Sequence, residues 1–347
     1  MLGQAKLAFF RTAHATGSSS ALGKSNWRRQ RLLLLCYHGV SVRDEHSWNP
    51  ELYITAQRLE ERLSLLRDLD ANILSLSEAL QRLAVGSLPP RAVVITFDDG
   101  AADFALRAMP VLRKYEAPAT VYLTTYYVER PCMPVWNTAA SYILWRARHR
   151  RAVDLQGLIT SSRSFDLHDA LDRKAALDAF RHHWQSTTTE AKHDALGRLA
   201  STLDIDFAEI LHYRQLQLMT PDEVSGLPSD LIQVELHTHR HRTPLDSALF
   251  RRELDENHAI IQDLTGRAPH HFCYPSGHAR PEFLDWLREA GVESATTCAP
   301  GLATSRHNPL LLPRLVDTSH TPRETFVAWV TGVAAWLPNR TRTLARL

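Results

Sequence analysis

Two short stretches hold residues that could do chemistry together. The first is Thr96-Phe97-Asp98-Asp99-Gly100. Its adjacent carboxylates follow an apolar run, Ala92 to Ile95, bounded by Pro89-Pro90 and by Gly100. Such a run reads as a fully buried strand of a parallel sheet, with both carboxylates where the strand stops. Burying one unpaired carboxylate is costly, and two together call for a cation, a shared proton or both. A metal that takes one and leaves the other as a base meets that demand. The second stretch is His237-Thr238-His239-Arg240-His241, directly after a strand, Leu231 to Leu236. Neutral imidazole is the commonest metal ligand. If one turn brings His237 and His241 inward, they and one Asp make a three-ligand site with open positions for water and substrate. Alone, Asp-Asp-Gly is common turn chemistry and the histidines fit a solvated loop. Their joint occurrence, each at the C-terminal end of a strand, carries the metal reading.

The elements around these stretches alternate. Leu32 to Cys36 is a continuous apolar run ending in Tyr37-His38-Gly39, a buried strand that presents a histidine at its end. Thr55 caps a helix with Leu59, Leu63, Leu66 and Leu69 on one face. Ile73-Leu74 reads as a short strand, followed by a helix opening at Ser77. After the Asp98-Asp99 strand come a helix over about residues 103–115 and a strand from Ala119 to Thr124. This alternation predicts an α/β fold with a parallel sheet. It breaks between about residues 128 and 218, where the pattern is helical, and we expect a helical insertion on one face of the sheet. The rhythm resumes with a helix opening at Thr220-Pro221, the strand before the histidines, a long amphipathic helix from Asp246 to Leu264, and short strands at Phe272 to Tyr274 and Ser294 to Thr297. A C-terminal helix is predicted over Thr325 to Leu337, followed by a tail.

Composition sets the class. The chain has 347 residues, 44% hydrophobic and 22% charged, which is ordinary for a folded globular protein rather than a disordered one. A net charge of +2 is too small to argue for nucleic acid. Cys36, Cys132, Cys273 and Cys298 form no CxxC pair and read as buried small hydrophobes in a reducing compartment, not a disulfide framework. No run of 18 apolar residues occurs. Residues 1–30 carry Lys6, Arg11, Lys24, Arg28 and Arg29 and no acid, and Leu7 to Phe10 is too short for a signal-peptide core. We expect a loose basic tail, the alternative being a weak membrane-surface anchor. The matching placement is cytoplasmic, with peripheral contact at the inner membrane as its variant. Oligomeric state is not legible.

The sequence resembles the polysaccharide deacetylases, the NodB-homology carbohydrate esterases. Thr96 to Gly100 matches the family's TFDDG motif in full, and His237 to His241 matches H-[ST]-x-x-H. The resemblance covers about residues 30–128 and 218–318. It implies a distorted (β/α) barrel of about seven strands, with a catalytic domain over 31–320 and the helical insertion inside it. It also implies Asp99, His237 and His241 as ligands of a divalent metal, most often zinc. Asp98 would be the base that activates water, and the reaction would release acetate from an N-acetylated sugar of a polysaccharide or lipid-linked glycan. Two departures matter. The family's third motif commonly reads R-x-P-Y, whereas Phe272-Cys273-Tyr274-Pro275-Ser276-Gly277 resembles the YPxG variant of an exopolysaccharide-deacetylase branch. Tyr274 and Ser276 would then lie at the substrate and oxyanion position, with the oxyanion N–H at Ser276. The arginine that braces the catalytic Asp is missing there, and Arg314 is its candidate substitute, an ordinary surface arginine being the alternative. The usual late Leu-His motif is also absent, but Leu33 to His38 has its shape. This implies a permuted barrel with His38 as general acid, His278 and His320 being reserves. Two other readings stay open: a catalytically weak glycan-binding relative, and the same metal chemistry on an O-acetyl ester or cyclic amide.

Overall fold

The apolar runs become the strands they predict. The computed structural model describes residues 2–160 and 163–337. Seven strands form the main path: β1 Leu33–Tyr37, β2 Ala92–Asp99, β3 Ala119–Leu123, β4 Ile232–Leu236, β5 His271–Cys273, β6 Ser294–Thr296 and β7 Leu315–Val316. All pairs are parallel, in the order β7-β1-β2-β3-β4-β5-β6. Asn72–Ile73 adds a short strand beside β2, and Gly39–Val40 pairs separately with Tyr53–Ile54. Where β6 should meet β7 there is only a parallel bridge, Thr296 to Leu312, so the barrel is distorted at that seam.

Alternation along the strands separates two cores. Leu33, Leu35, Val93, Ile95 and Phe97 face outward and pack with Leu59, Leu63, Leu66 and Leu112. Leu34, Val94, Tyr122, Cys273 and Leu312 face inward and pack with Leu76, Ala79 and Leu83 of the helix Leu76–Ala84. That helix fills the lower barrel with apolar side chains. The polar inward positions, among them Thr96, Asp98 and Arg314, are therefore left to the C-terminal end.

Residues 128–218 form a unit with their own apolar centre. The helices Trp136–Arg146, Ala170–Trp184, Thr189–Thr202 and Phe207–His212 bury Ile143, Phe180, Leu196, Leu199 and Ile210 together. Hydrogen bonds fix this unit to the rim. Tyr142 donates its hydroxyl hydrogen bond to Asp44, and Gln215 Nε2 donates to Glu45 Oε1 at 2.7 Å, which ties it to the segment after β1. Met219 N donates to Gly100 O at 3.0 Å, which returns the chain beside the two aspartates.

Three expectations need correction. The N-terminal segment is not a loose tail: Leu2–Ala15, Ser18–Lys24 and Asn26–Arg29 are helical. Phe10 joins the outer core with Ala13, Leu22 and Trp27 against it, Arg11 pairs with Glu324 at 2.8 Å, and buried Arg28 donates to Val330 O at 2.9 Å. The charges had hidden an apolar face with a partner near the other end of the chain. The helix after β2 opens as a π-turn, Phe104–Ala108, before Met109–Lys114, because Pro110 has no N–H to donate to a regular ladder. The C-terminal helix is Arg323–Thr331, broken by Gly332 at φ 93° before a 3₁₀ turn, Val333–Trp336. The tail expected beyond it lies outside the described residues. Among the described residues no helix is long and apolar enough to cross a membrane.

Candidate active site

Period-two alternation points Asp98 into the barrel, where it is almost fully buried. Arg314, just before β7, is completely buried and meets it with two parallel hydrogen bonds, Nη1 to Oδ1 and Nη2 to Oδ2, both 2.7 Å. Nη1 also donates to Thr96 Oγ1 at 3.0 Å and Nε to Thr297 O at 3.0 Å. Burial alone would raise the Asp98 pKa; the guanidinium outweighs it and holds the carboxyl well below the usual carboxylate range. Asp98 is thus held ionised and fixed in the resting site. Of the two sequence readings for Arg314, the surface one is excluded.

Asp99 takes a left-handed backbone, φ 73°, which swings it to the rim. Gly100 follows at φ 80°, and a Cβ there would lie 2.1 Å from Leu123 Cδ1, so the turn requires glycine. On the adjacent strand end, His237 Nδ1 lies 2.8 Å from Cys273 O. A carbonyl only accepts, so Nδ1 carries the proton and Nε2 presents its lone pair. Nε2 of His237 and Nε2 of His241 each lie 3.2 Å from Asp99 Oδ1. Left-handed Thr238 (φ 63°) and His241 (φ 53°) curl the loop so that both rings reach the same point. His239 turns away to bond Thr125 Oγ1 through Nδ1 at 2.8 Å.

The donor set fits a divalent metal. Asp99 Oδ1 is buried without a hydrogen bond. It faces an imidazole lone pair, an arrangement that a cation relieves. Donors sharing one tetrahedral zinc at about 2.0–2.1 Å stand about 3.3–3.4 Å apart, close to the 3.2 Å contacts seen here. Asp98, His237 and Cys273 also bring ligand atoms within 4.8 Å of one another, as do Cys36, His38 and Asp98. These sets are poorer, because Asp98 is committed to Arg314. The Cys273 thiol is pushed up by burial, and the Cys36 thiol by the neighbouring Cys298 thiol and by burial.

The remaining sequence candidates divide. His38, at the end of β1, places Nε2 3.8 Å from Asp98 Oδ2. Its Nδ1 is buried without a hydrogen bond. His278 and His320 are exposed. Ser276 is exposed at φ 57°, on the turn just after β5. Tyr274 is a correction: it is fully buried, its hydroxyl donates to Leu310 O at 3.0 Å and its N–H to Thr296 O at 3.2 Å. Its ring packs against Phe272 and Phe283, so its side chain serves the core and not the substrate.

Sequence reasoning missed two features. Asn257 accepts from His237 N at 2.9 Å and donates to Leu123 O at 2.9 Å, locking the ends of β3 and β4 together. A polar residue on the buried stripe Phe250, Leu254, Asn257, Ile261 was a signal that could have found it. The other is the thiols of Cys36 and Cys273, 3.6 and 3.4 Å from Asp98 Oδ2. Cys36 precedes His38 by two, so its inward direction was legible.

The fold and rim define a (β/α) barrel with a carboxylate–imidazole site at the C-terminal ends of its strands. A family model for polysaccharide deacetylase matches residues 86–295, and the chain belongs to that family. It is 31% identical over 115 residues to a poly-beta-1,6-N-acetyl-D-glucosamine N-deacetylase of Staphylococcus epidermidis, a match covering 30% of this chain and 40% of that protein. The same-named protein of Staphylococcus aureus is 30% identical over 117 residues, again 30% and 40% of the two chains. Among solved structures, the Streptococcus pyogenes deacetylase PplD in complex with acetate superposes with a TM-score of 0.56 at 16% identity, covering 89% of this chain and 99% of that one. IcaB from Ammonifex degensii gives 0.55 at 17% identity, covering 87% and 97%. These structural likenesses show the fold.

Proposed function

We propose that this protein is a metal-dependent hydrolase that removes N-acetyl groups from amino sugars of a polysaccharide. The observation that carries the reading is the pairing of two carboxylates with opposite surroundings. Asp98 is locked to Arg314, and Asp99 faces two imidazoles with an unsatisfied oxygen. The Staphylococcus relatives, poly-beta-1,6-N-acetyl-D-glucosamine N-deacetylases, suggest the substrate class, an N-acetylglucosamine polymer.

Asp99, His237 and His241 would hold the metal. A divalent cation there would polarise the acetyl carbonyl and make a water acidic enough to lose its proton to a weak base. Asp98, kept ionised by Arg314, takes that proton as the water attacks the carbonyl carbon. Ser276, turned outward after β5, is the residue we assign to donate its N–H to the developing oxyanion. His38 delivers a proton to the amide nitrogen as the C–N bond breaks, leaving acetate and a free amine on the sugar. We also propose that residues 128–218, hydrogen-bonded to Asp44 and Glu45 and, through Gln217 O, to Ala102 N, form one wall of the glycan groove.

His237→Ala and His241→Ala are expected to lose metal and turnover together. Metal content after zinc loading and dialysis checks this; full zinc occupancy in either variant would remove that residue from the ligand set. His38→Ala is expected to keep zinc and to lower kcat about 10²-fold or more. A rate within a few-fold of wild type would place the acid elsewhere. The deciding experiment measures acetate release from N-acetylated and O-acetylated oligosaccharides by metal-stripped and zinc-restored protein. Release from N-acetyl substrates that depends on zinc supports the proposal. Release from O-acetyl substrates alone would make the enzyme an esterase. Zinc binding without turnover would make it a binding relative.

A further inference from the structure

Three of the four cysteines converge on one buried ion pair from three different strand ends. Cys36 lies on β1 and Cys273 on β5, both fully buried, with sulfurs 3.6 and 3.4 Å from Asp98 Oδ2. Cys298 follows β6 and is only partly buried. Arg314 Nη2, the atom that holds Asp98 Oδ2, also reaches Cys273 Sγ at 3.0 Å and Cys298 Sγ at 3.8 Å. Cys36 Sγ and Cys298 Sγ thus flank the same contact, Arg314 Nη2 to Asp98 Oδ2. The proposed mechanism uses none of these sulfurs. Cys132, the fourth, is exposed.

We infer that Cys298 is a thiol-modification site, which peroxides oxidise and soft electrophiles alkylate, with Cys36 as the thiol that resolves it into a disulfide and with loss of the Arg314–Asp98 geometry as the consequence. The first oxidation falls on a thiol in electropositive, partly exposed surroundings. Cys298 alone of the three meets both conditions. The neighbouring Cys36 thiol and then the guanidinium bring it down to about 6 against the opposing effect of burial. The Cys298 thiol and burial push Cys36 the other way.

The chemistry balances with hydrogen peroxide as oxidant. The Cys298 thiolate attacks one peroxide oxygen, the O–O bond breaks, and sulfenic acid and hydroxide result. The Cys36 thiol then attacks the sulfenic sulfur, forming the S–S bond and releasing water. Overall, two thiols lose two electrons and two protons, and one peroxide becomes two waters. The bridge removes the Cys36 thiol from Asp98 and draws Cys298 off the guanidinium. It also presses on the turn that carries Ser276. A Cβ on Gly277 would already lie 2.9 Å from Cys298 Cβ and 3.1 Å from its Sγ, so the two are in close contact.

The activity consequence rests on the deacetylase reading, while the modification itself does not. The test uses zinc-loaded full-length protein carrying Cys132→Ser, treated with hydrogen peroxide. Peptide mapping without reduction reads the bridge, and acetate release reads the consequence. A Cys36–Cys298 peptide and a rate loss on the order of 10-fold or more, both reversed by dithiothreitol, are expected. Cys298→Ser in this background should keep its rate under peroxide. In Cys36→Ser, dimedone should trap a sulfenic acid at Cys298, which tests the site even where the bridge cannot form. Cys298 remaining reduced and unlabelled would overturn the inference, as would a formed bridge with an unchanged rate. A bridge in protein that releases no acetate from any substrate counts against the deacetylase reading and in favour of the thiol site.

Discussion

Asp98→Asn is expected to lower acetate release by about 10²–10⁴-fold while zinc stays bound. The asparagine keeps the shape of the side chain and one oxygen for Arg314, but it cannot take a proton from water. Metal retention follows because Asp98 is not among the three donors, Asp99 Oδ1, His237 Nε2 and His241 Nε2. The charge change has a second effect. Arg314 is fully buried, and without Asp98 its positive charge keeps only the neutral partners Thr96 Oγ1, Thr297 O and the cysteine sulfurs. Stability should therefore fall together with activity. The two effects separate in Asp98→Asn/Arg314→Met. Removing both charges from a buried pair is often neutral or stabilising. The double variant should melt above Arg314→Met alone and remain inactive. Activity in Asp98→Asn near that of wild type would dismiss Asp98 as the base.

Arg314→Met should be the more damaging single change to the fold. It leaves a buried carboxylate with no counter-charge, a change worth about 3–5 kcal/mol. It also reverses the dependence of stability on pH. In the wild type the Asp98 pKa is depressed by Arg314. Its contribution is complete above the ordinary carboxylate pKa of about 4 and is lost only as pH falls toward the depressed value. With the guanidinium gone, burial dominates and the pKa rises above that of the unfolded chain. Ionisation then opposes folding, and stability drops as pH rises from about 4. The acid limb of the pH–rate profile should move to higher pH for the same reason, since the base must be ionised to act. Thermal melts of both proteins between acid and neutral pH check the sign. Parallel curves would show that Arg314 does not set the charge of Asp98.

Some of this was legible because it depends on neighbours in sequence. Apolar runs announced β1 and the first half of β2, since a strand covered on both faces needs no polar residue, while β3 and β4 were legible from their place in the alternation of strands and helices. The helix Ser247–Thr265 was legible from its period, its Asp246 cap and Gly266, which the structure shows at φ 69°. The aspartate pair and the histidine trio stood out because costly residues were crowded where strands end. The N-terminal helices were not legible. Their apolar residues bury against the helix Arg323–Thr331 and the turn after it, where the Trp27 and Trp336 rings lie 5.8 Å apart, and nothing local announces that partner.

The amino-acid sequence by itself determined the parallel α/β framework, the place of the helical unit between β3 and β4, and the residue types that form the rim. Those follow from periodicity, caps and the expense of burying charge. The resemblance implied different roles for Asp98 and Asp99, but only the tertiary structure shows the left-handed turn at Asp99 that sends one into the barrel and the other to the histidines. The tertiary structure alone brought Arg314 across 216 positions of chain to Asp98. It also moved Tyr274 from the substrate to the core and gathered three distant cysteines around one ion pair. Pairing of that kind depends on which strands become neighbours when a sheet closes. β7 lies beside β1 although they stand at opposite ends of the chain, and no spacing along the sequence records that adjacency.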